Sequence, residues 1–388
     1  MNHDDCLTSQ ISPVQMPQPR YLGIRTETKP TIRHRPSPNM KNTTAHPSRA
    51  WLRHLPKAEL HLHLEGTVTP ETLVILSQRH DADPLTLGQA RDLYTYKDFG
   101  HFLRTFRLVC DRLQTPDDYA LVAAEMMRDL RAQGVAHAEV FMSWGNILRW
   151  KPGLRVEDVM VAVEGARAAA EAEAGGRFSL FWIADAVRQW GPEHVGGVFR
   201  LAARLRRRFP SIVGVGIGGD EVAGPSGEFG EVYAEARRAG LRLTAHAGEA
   251  GGPVKGPVEI RAALGIGAER IGHGLDAQHD ASLLAELAES QTPVEINITS
   301  NILTGGCSSV KEHPLPKYLN KGMMCMLNSD DPAMFGSWCL DEYVLVHEQL
   351  GLDLETMRRL ARNSILSSFL DEQRKEELCE KIKEYPLP

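Results

Sequence analysis

The sequence predicts an α/β fold, a closed (β/α)8 TIM barrel with a long helical insertion after the first strand. Three features point to it: eight short apolar runs, helix-like text between nearly all of them, and polar residues gathered at the C-terminal ends of the runs. The runs lie at 58–66, 135–143, 178–187, 212–221, 241–249, 270–274, 293–301 and 323–331. Uninterrupted apolar strands alternating with helices indicate a parallel sheet covered on both faces. Eight repeats in 388 residues favour a closed barrel over an open doubly wound sheet. The open sheet would need a glycine-rich phosphate loop after its first strand, and "HLEGTVTPETL" is not one.

Residues 1–48, rich in Pro, Ser, Thr and Asn with little to bury, read as a disordered leader, and 49–388 as the globular domain. In the first run, "AELHLHLEG", His61 and His63 are two residues apart and face the same side of a strand, roughly 6.5–7 Å apart along the chain. Two converging imidazoles suit a metal ion, although a pair of hydrogen-bonded core histidines would leave the same letters. The insertion, 67–134, contains "FGHFLRTFRLVCDRL", where Phe99, Phe102, Leu103 and Phe106 form a stripe at helical spacing that is expected mainly to pack. Trp144 follows the second run and reads either as packing or as a pocket wall. Asp220 and Glu221 end the fourth run, His246 and Glu249 the fifth, His273 the sixth, and Asn297 and Asn301 the seventh. The eighth ends in "NSDDP". Buried side by side, Asp330 and Asp331 could not both stay ionised without a cation or a shared proton, whereas an exposed turn would carry them freely. Barrel enzymes build their sites at the C-terminal ends of the strands, where all these groups fall. Three histidines and an aspartate from the first, fifth and eighth runs would make a metal site with room for a water. The last stretch, "LDEQRKEELCEKIKEY", reads as a solvated closing helix.

Composition narrows the function classes. With 44 Lys and Arg against 50 Asp and Glu, net charge −6, the chain has no basic footprint for nucleic acid or an anionic membrane. No run of 18 apolar residues and no signal-like leader is present. The six cysteines form no CxxC pair, so a zinc finger or disulfide scaffold is not indicated, and a cytoplasmic location is expected. A small-molecule enzyme is the default expectation; no oligomeric state is legible.

The motifs "LPKAELHLHLEGTVTPETL", "GGDE", "TAHAGE", "RIGHG", "TSN" and "LNSDDPAMF" occur in the order seen in the adenosine deaminase family, which the chain resembles over about 51–370. The resemblance implies a zinc-dependent barrel, a helical lid formed by the insertion, and hydrolytic loss of the 6-amino group of a purine nucleoside as ammonia. It implies one Zn²⁺ held by His61, His63, His246 and Asp330, with His63 also beside the substrate. Glu249 would deliver a proton to ring N1, His273 would orient the attacking water, Asp331 would reach N7, Gly219 would offer its backbone N–H to N3, and Glu65 would face the sugar. One or two of the lid residues would reach the ligand. Adenosine or 2′-deoxyadenosine is the substrate first expected. Three departures unsettle the sugar side: Glu65 where vertebrate-like members carry Asp, "NITSN" in place of Cys-Pro-x-Ser-Asn, and Gly216 where an aspartate is frequent. Aminodeoxyfutalosine, adenine and N6-methylated purine nucleotides are the alternatives. A different barrel hydrolase and an idle purine-binding protein are the readings outside this class.

Overall fold

A computed structural model describes residues 47–96 and 99–388. All but the last two residues of the expected leader lie outside them. Pro47 already opens the first helix, α1 (Pro47–His54), slightly ahead of the expected boundary.

Eight strands follow: β1 (Lys57–His63), β2 (Val135–Met142), β3 (Ser179–Val187), β4 (Ile212–Gly218), β5 (Arg242–Ala247), β6 (Arg270–His273), β7 (Val294–Ile296) and β8 (Cys325–Leu327). They are parallel and pair in sequence order. Asp330 and the side chain of Asn328 draw β8 onto β1. The His63 N–H donates to the Asp330 carbonyl at 2.9 Å, the Asp330 N–H to the His61 carbonyl at 3.1 Å, and the Leu60 N–H to Asn328 Oδ1 at 2.8 Å. The expected TIM barrel is therefore the observed architecture, and its seam runs through two of the histidines and the acid singled out above.

Every residue of β1 and β2 is buried, polar ones included, because a barrel strand faces the interior on one side and helices on the other. Deep in the barrel Arg270 donates to Glu295 at 2.6 Å and also to Glu139, and each of the three side chains is at most 1 % exposed. Charges this deep persist only when paired.

Four helices fill the connection from β1 to β2: α2 (Pro70–His80), α3 (Leu87–Leu93), α4 (Phe99–Arg112) and α5 (Pro116–Ala132). Their starts are written locally. Thr69 and Thr115 each cap a helix that opens with proline, and Thr86 and Thr115 form reciprocal capping boxes with Gln89 and Asp118. The remaining helices are α6 (Trp144–Trp150), α7 (Val156–Ala174), α8 (Gly191–Leu205), α9 (Gly230–Arg238), α10 (Gly252–Gly265), α11 (Ala281–Ser290), α12 (Ile298–Leu303), α13 (Leu315–Asn320), α14 (Pro332–Phe335), α15 (Cys339–Gln349), α16 (Leu354–Leu366) and α17 (Glu372–Glu384). The closing helix α17 buries Leu378 and Ile382 and exposes most of its charges. Among the described residues no helix is long and apolar enough to cross a membrane, and the five described cysteines are free.

Candidate active site

His61 and His63 sit at the end of β1, His246 near the end of β5, His273 at the last residue of β6, and Asp330 just past β8. Their polar atoms converge. Asp330 Oδ1 is 3.5 Å from His61 Nε2 and 3.4 Å from His63 Nε2, and His63 Nε2 is 3.2 Å from His246 Nε2. A tetrahedral ion with arms of about 2.0–2.1 Å sets its ligand atoms roughly 3.3–3.4 Å apart, so these separations suit one cation. The opposite nitrogens are already engaged: His61 Nδ1 faces Glu295 Oε2 at 2.7 Å, and His246 Nδ1 faces the Ile217 carbonyl at 2.9 Å. Each of these two rings is held by its outward nitrogen and presents Nε2 to the site. Buried His61 Nε2 makes no hydrogen bond at all.

His273 comes close from another side. It can place a nitrogen within 4.8 Å of ligand atoms of His61, His246 and Asp330, yet its Nε2 lies 3.8 Å from the outer oxygen of Asp330 and 3.8 Å from Glu249 Oε2. His273 (φ 64°) and Asp330 (φ 65°) are both left-handed, a conformation costing a non-glycine residue about 1–3 kcal/mol. For Asp330 the two seam hydrogen bonds to β1 hold it there.

The electrostatics divide the acids. Burial opposes the charge of Asp330, but His61, His273 and His63 outweigh it and hold this carboxyl low. Burial and the neighbouring Asp330 push Asp331 well up. The two adjacent acids are thus pushed in opposite directions. Burial, with Asp330 and Glu221, raises Glu249 to about 8, and its side chain remains 16 % exposed. Burial lowers His63 to about 4 and His273 to about 3 and depresses His246, leaving neutral imidazoles. His61 is the exception: burial disfavours its charge, yet Asp330 and Glu295 carry it to about 10. The donor set thus calls for one positive charge between His61 and Asp330.

Glu249 owes its place to Glu221. The Glu221 carboxylate accepts the N–H groups of Gly248 and Ala250 at 2.7 Å each, together with that of Gly251, and so clamps the turn carrying Glu249. Asp220 is exposed and only caps the N–H groups of Val222 and Ala223. Gly219 has φ +100°. The glycine of "HLEG" is a close-approach residue, since a Cβ on Gly66 would lie 2.0 Å from Asp331 Oδ1.

Glu65 is buried beside β2, accepting the Ser143 N–H at 3.0 Å through Oε1 while Oε2 has no partner. Ser143 Oγ reaches, at 3.4 Å, an acid that sequence reasoning missed: Asp185, near the end of β3, whose Oδ1 is also unpartnered. Burial raises Glu65 to about 7 and, with Glu65 beside it, moves Asp185 well up. The signal was present, because "FSLFWIADAV" places its acid toward the C-terminal end of the run as the others do. Glu295, the partner of His61, was missed as well. Trp144 is fully buried. In the insertion, Phe102 stacks on Phe335 of α14 at 4.9 Å and lies 6.0 Å from Phe106, while Leu103 is exposed; the side chain of Phe99 lies outside the described residues.

A parallel eight-stranded barrel with imidazoles and acids gathered at its C-terminal mouth is an arrangement suited to metal-dependent hydrolysis. The chain belongs to the adenosine deaminase family, whose sequence profile matches residues 56–385. It is 37 % identical to an aminodeoxyfutalosine deaminase of Streptomyces avermitilis, over 85 % of this chain and 91 % of the relative. Among solved structures it is similar to an adenine deaminase from Arthrobacter aurescens, at 31 % identity and TM-score 0.78, covering 85 % of this chain and 98 % of that one. An amidohydrolase from Burkholderia ambifaria with bound Zn shares the fold at 24 % identity and TM-score 0.79, over 89 % and 96 % of the two chains. The chain is accordingly a hydrolytic purine deaminase on a metal-dependent scaffold.

Proposed function

We propose that this enzyme removes the 6-amino group of aminodeoxyfutalosine by hydrolysis, releasing ammonia. The observation that carries the chemistry is the convergence of His61, His63, His246 and Asp330 beside Glu249 and His273. The Streptomyces relative directs the substrate choice away from the adenosine first expected from sequence. Two buried acids with spare oxygens, Glu65 and Asp185, support a nucleoside over a free base. Sugar hydroxyls offer several donors to such a pair, whereas free adenine offers a single ring N–H.

His61, His63, His246 and Asp330 would hold Zn²⁺, and His273, at the longer separation, stays outside the ligand set. When bound, zinc supplies Lewis acidity and a water activated at neutral pH. The protein supplies the rest. Glu249, neutral below about pH 8, gives a proton to N1 and makes C6 electrophilic. Asp331, pushed up by burial and by Asp330, donates to N7. Gly219 brings backbone N–H to the N3 edge, and His273 directs Nε2 toward the space bounded by Glu249 and Asp330.

Ammonia release from aminodeoxyfutalosine, adenosine and adenine tests the substrate. The first should exceed the others by more than about tenfold in kcat/KM, roughly the discrimination of 1.4 kcal/mol in transition-state binding. Asp185→Asn should raise KM for the nucleosides and spare adenine. Fastest turnover of adenine would favour the second reading, adenine deaminase, which the Arthrobacter structure motivates. Glu295→Gln tests the ligand set: it retains a hydrogen-bonding partner for His61 but removes the charge, and should weaken zinc affinity about 10–100-fold in chelator competition. Unchanged affinity would remove Glu295 from that role.

A further inference from the structure

Resting on that reading, we propose that Asn301 and His313 form a polarity relay that fixes His273 as its Nε2–H tautomer, directing its single ring hydrogen at the reacting centre. The relay begins at a group that has no choice. The backbone N–H of Leu315 donates to His313 Nδ1 at 3.2 Å, so that nitrogen must be bare and the hydrogen of the ring sits on Nε2. His313 Nε2 lies 3.3 Å from the Asn301 side-chain amide, and the atom it meets must therefore be the amide oxygen. The Asn301 nitrogen, which can only donate, meets His273 Nδ1 at 3.0 Å. His273 accepts there, and its own hydrogen is forced onto Nε2, the nitrogen 3.8 Å from Glu249 Oε2 and 3.8 Å from Asp330 Oδ2.

Nothing competes with this sequence of bonds. Asn301, His273 and His313 are 0 %, 1 % and 3 % exposed, so water does not offer the amide or the rings alternative partners. Burial alone lowers His313 to about 3, and a charged His313 would turn an N–H against the N–H of Leu315. Asn297 lies 3.4 and 3.5 Å from the two ring nitrogens of His273, nearly equidistant, and selects neither. The opposite tautomer would aim a lone pair at the carboxylate of Asp330 and could not donate to an incoming oxygen. Asn301, on α12, and His313, just before α13, act through His273 and are positioning residues.

Nitrogen-15 NMR of the zinc-loaded, histidine-labelled protein reads the tautomer, with His273 assigned by the resonances lost in His273→Gln. The wild-type chain should show His273 with Nδ1 bare and Nε2 protonated. Asn301→Asp, nearly isosteric, replaces the donor with an acceptor and should put a hydrogen on Nδ1. His313→Leu should lower kcat about 10–100-fold, a fraction of the worth of positioned proton transfer, with KM little changed. His313→Gln, which still offers Asn301 a donor, should recover most of that loss. A protonated Nδ1 in the wild-type chain, or a bare one in Asn301→Asp, overturns the relay, as does wild-type kcat in a folded His313→Leu protein. The spectrum is independent of turnover. If no adenine compound releases ammonia, the deamination reading falls while the tautomer still decides the relay; an active enzyme with Nδ1–H sinks the relay alone.

Discussion

Glu249→Gln is expected to hold zinc as the parent chain does and to lose about 10²–10⁴-fold in kcat, the usual worth of a positioned proton donor. Glutamine keeps the size of the side chain and the turn clamped by Glu221, so the loss isolates the proton. The sign of the pH dependence follows from the shift. Burial raises the carboxyl from 4.5 to about 8, so the native enzyme keeps this proton through neutral pH and surrenders it as pH climbs through about 8. Wild-type kcat/KM should fall on that alkaline side, and the residual activity of the glutamine variant should lack this limb. Near-wild-type turnover by zinc-loaded Glu249→Gln would remove Glu249 from the reaction.

Asp330→Asn should have the largest effect on metal content. Asp330 is the one anion among the four proposed ligands, and even outer partners of metal ligands are worth about 10–100-fold, so zinc affinity should drop at least about 100-fold. Asparagine tolerates the left-handed backbone at φ 65°, so the β8–β1 seam survives and the folded variant can be assayed. A second consequence follows. Asp330 adds to the burial that raises Asp331, so its loss moves that carboxyl down and weakens its hold on the proton offered to N7. Activity should therefore remain depressed even with excess zinc. Equal zinc content and affinity in the two proteins, by elemental analysis after dialysis against a weak chelator, would sink the ligand assignment.

The barrel was legible in the sequence because its signals are local. Each apolar run and each threonine-capped, proline-opened helix is written within a few residues, and eight such units leave few architectures. The candidate site was legible for a related reason: His61, His63, His246, Glu249, His273 and Asp330 all fall where a parallel barrel places strand ends. Asp185 and Glu295 escaped because, in an apolar run, an acid with no recognisable partner nearby looks like any other buried polar group. Their significance comes from Ser143 and His61, 42 and 234 residues away.

The sequence by itself determined the fold, since period and residue type survive without coordinates, and its ordered motifs carried the resemblance to the deaminase family. Only the tertiary structure decided which ring nitrogens are held by outer partners, in which direction each of two adjacent acids is pushed, and what holds Glu249 in place. Those properties depend on angstrom-scale separations and burial between residues distant along the chain, and the Leu315 N–H that orients His273 lies on a different turn of the backbone altogether.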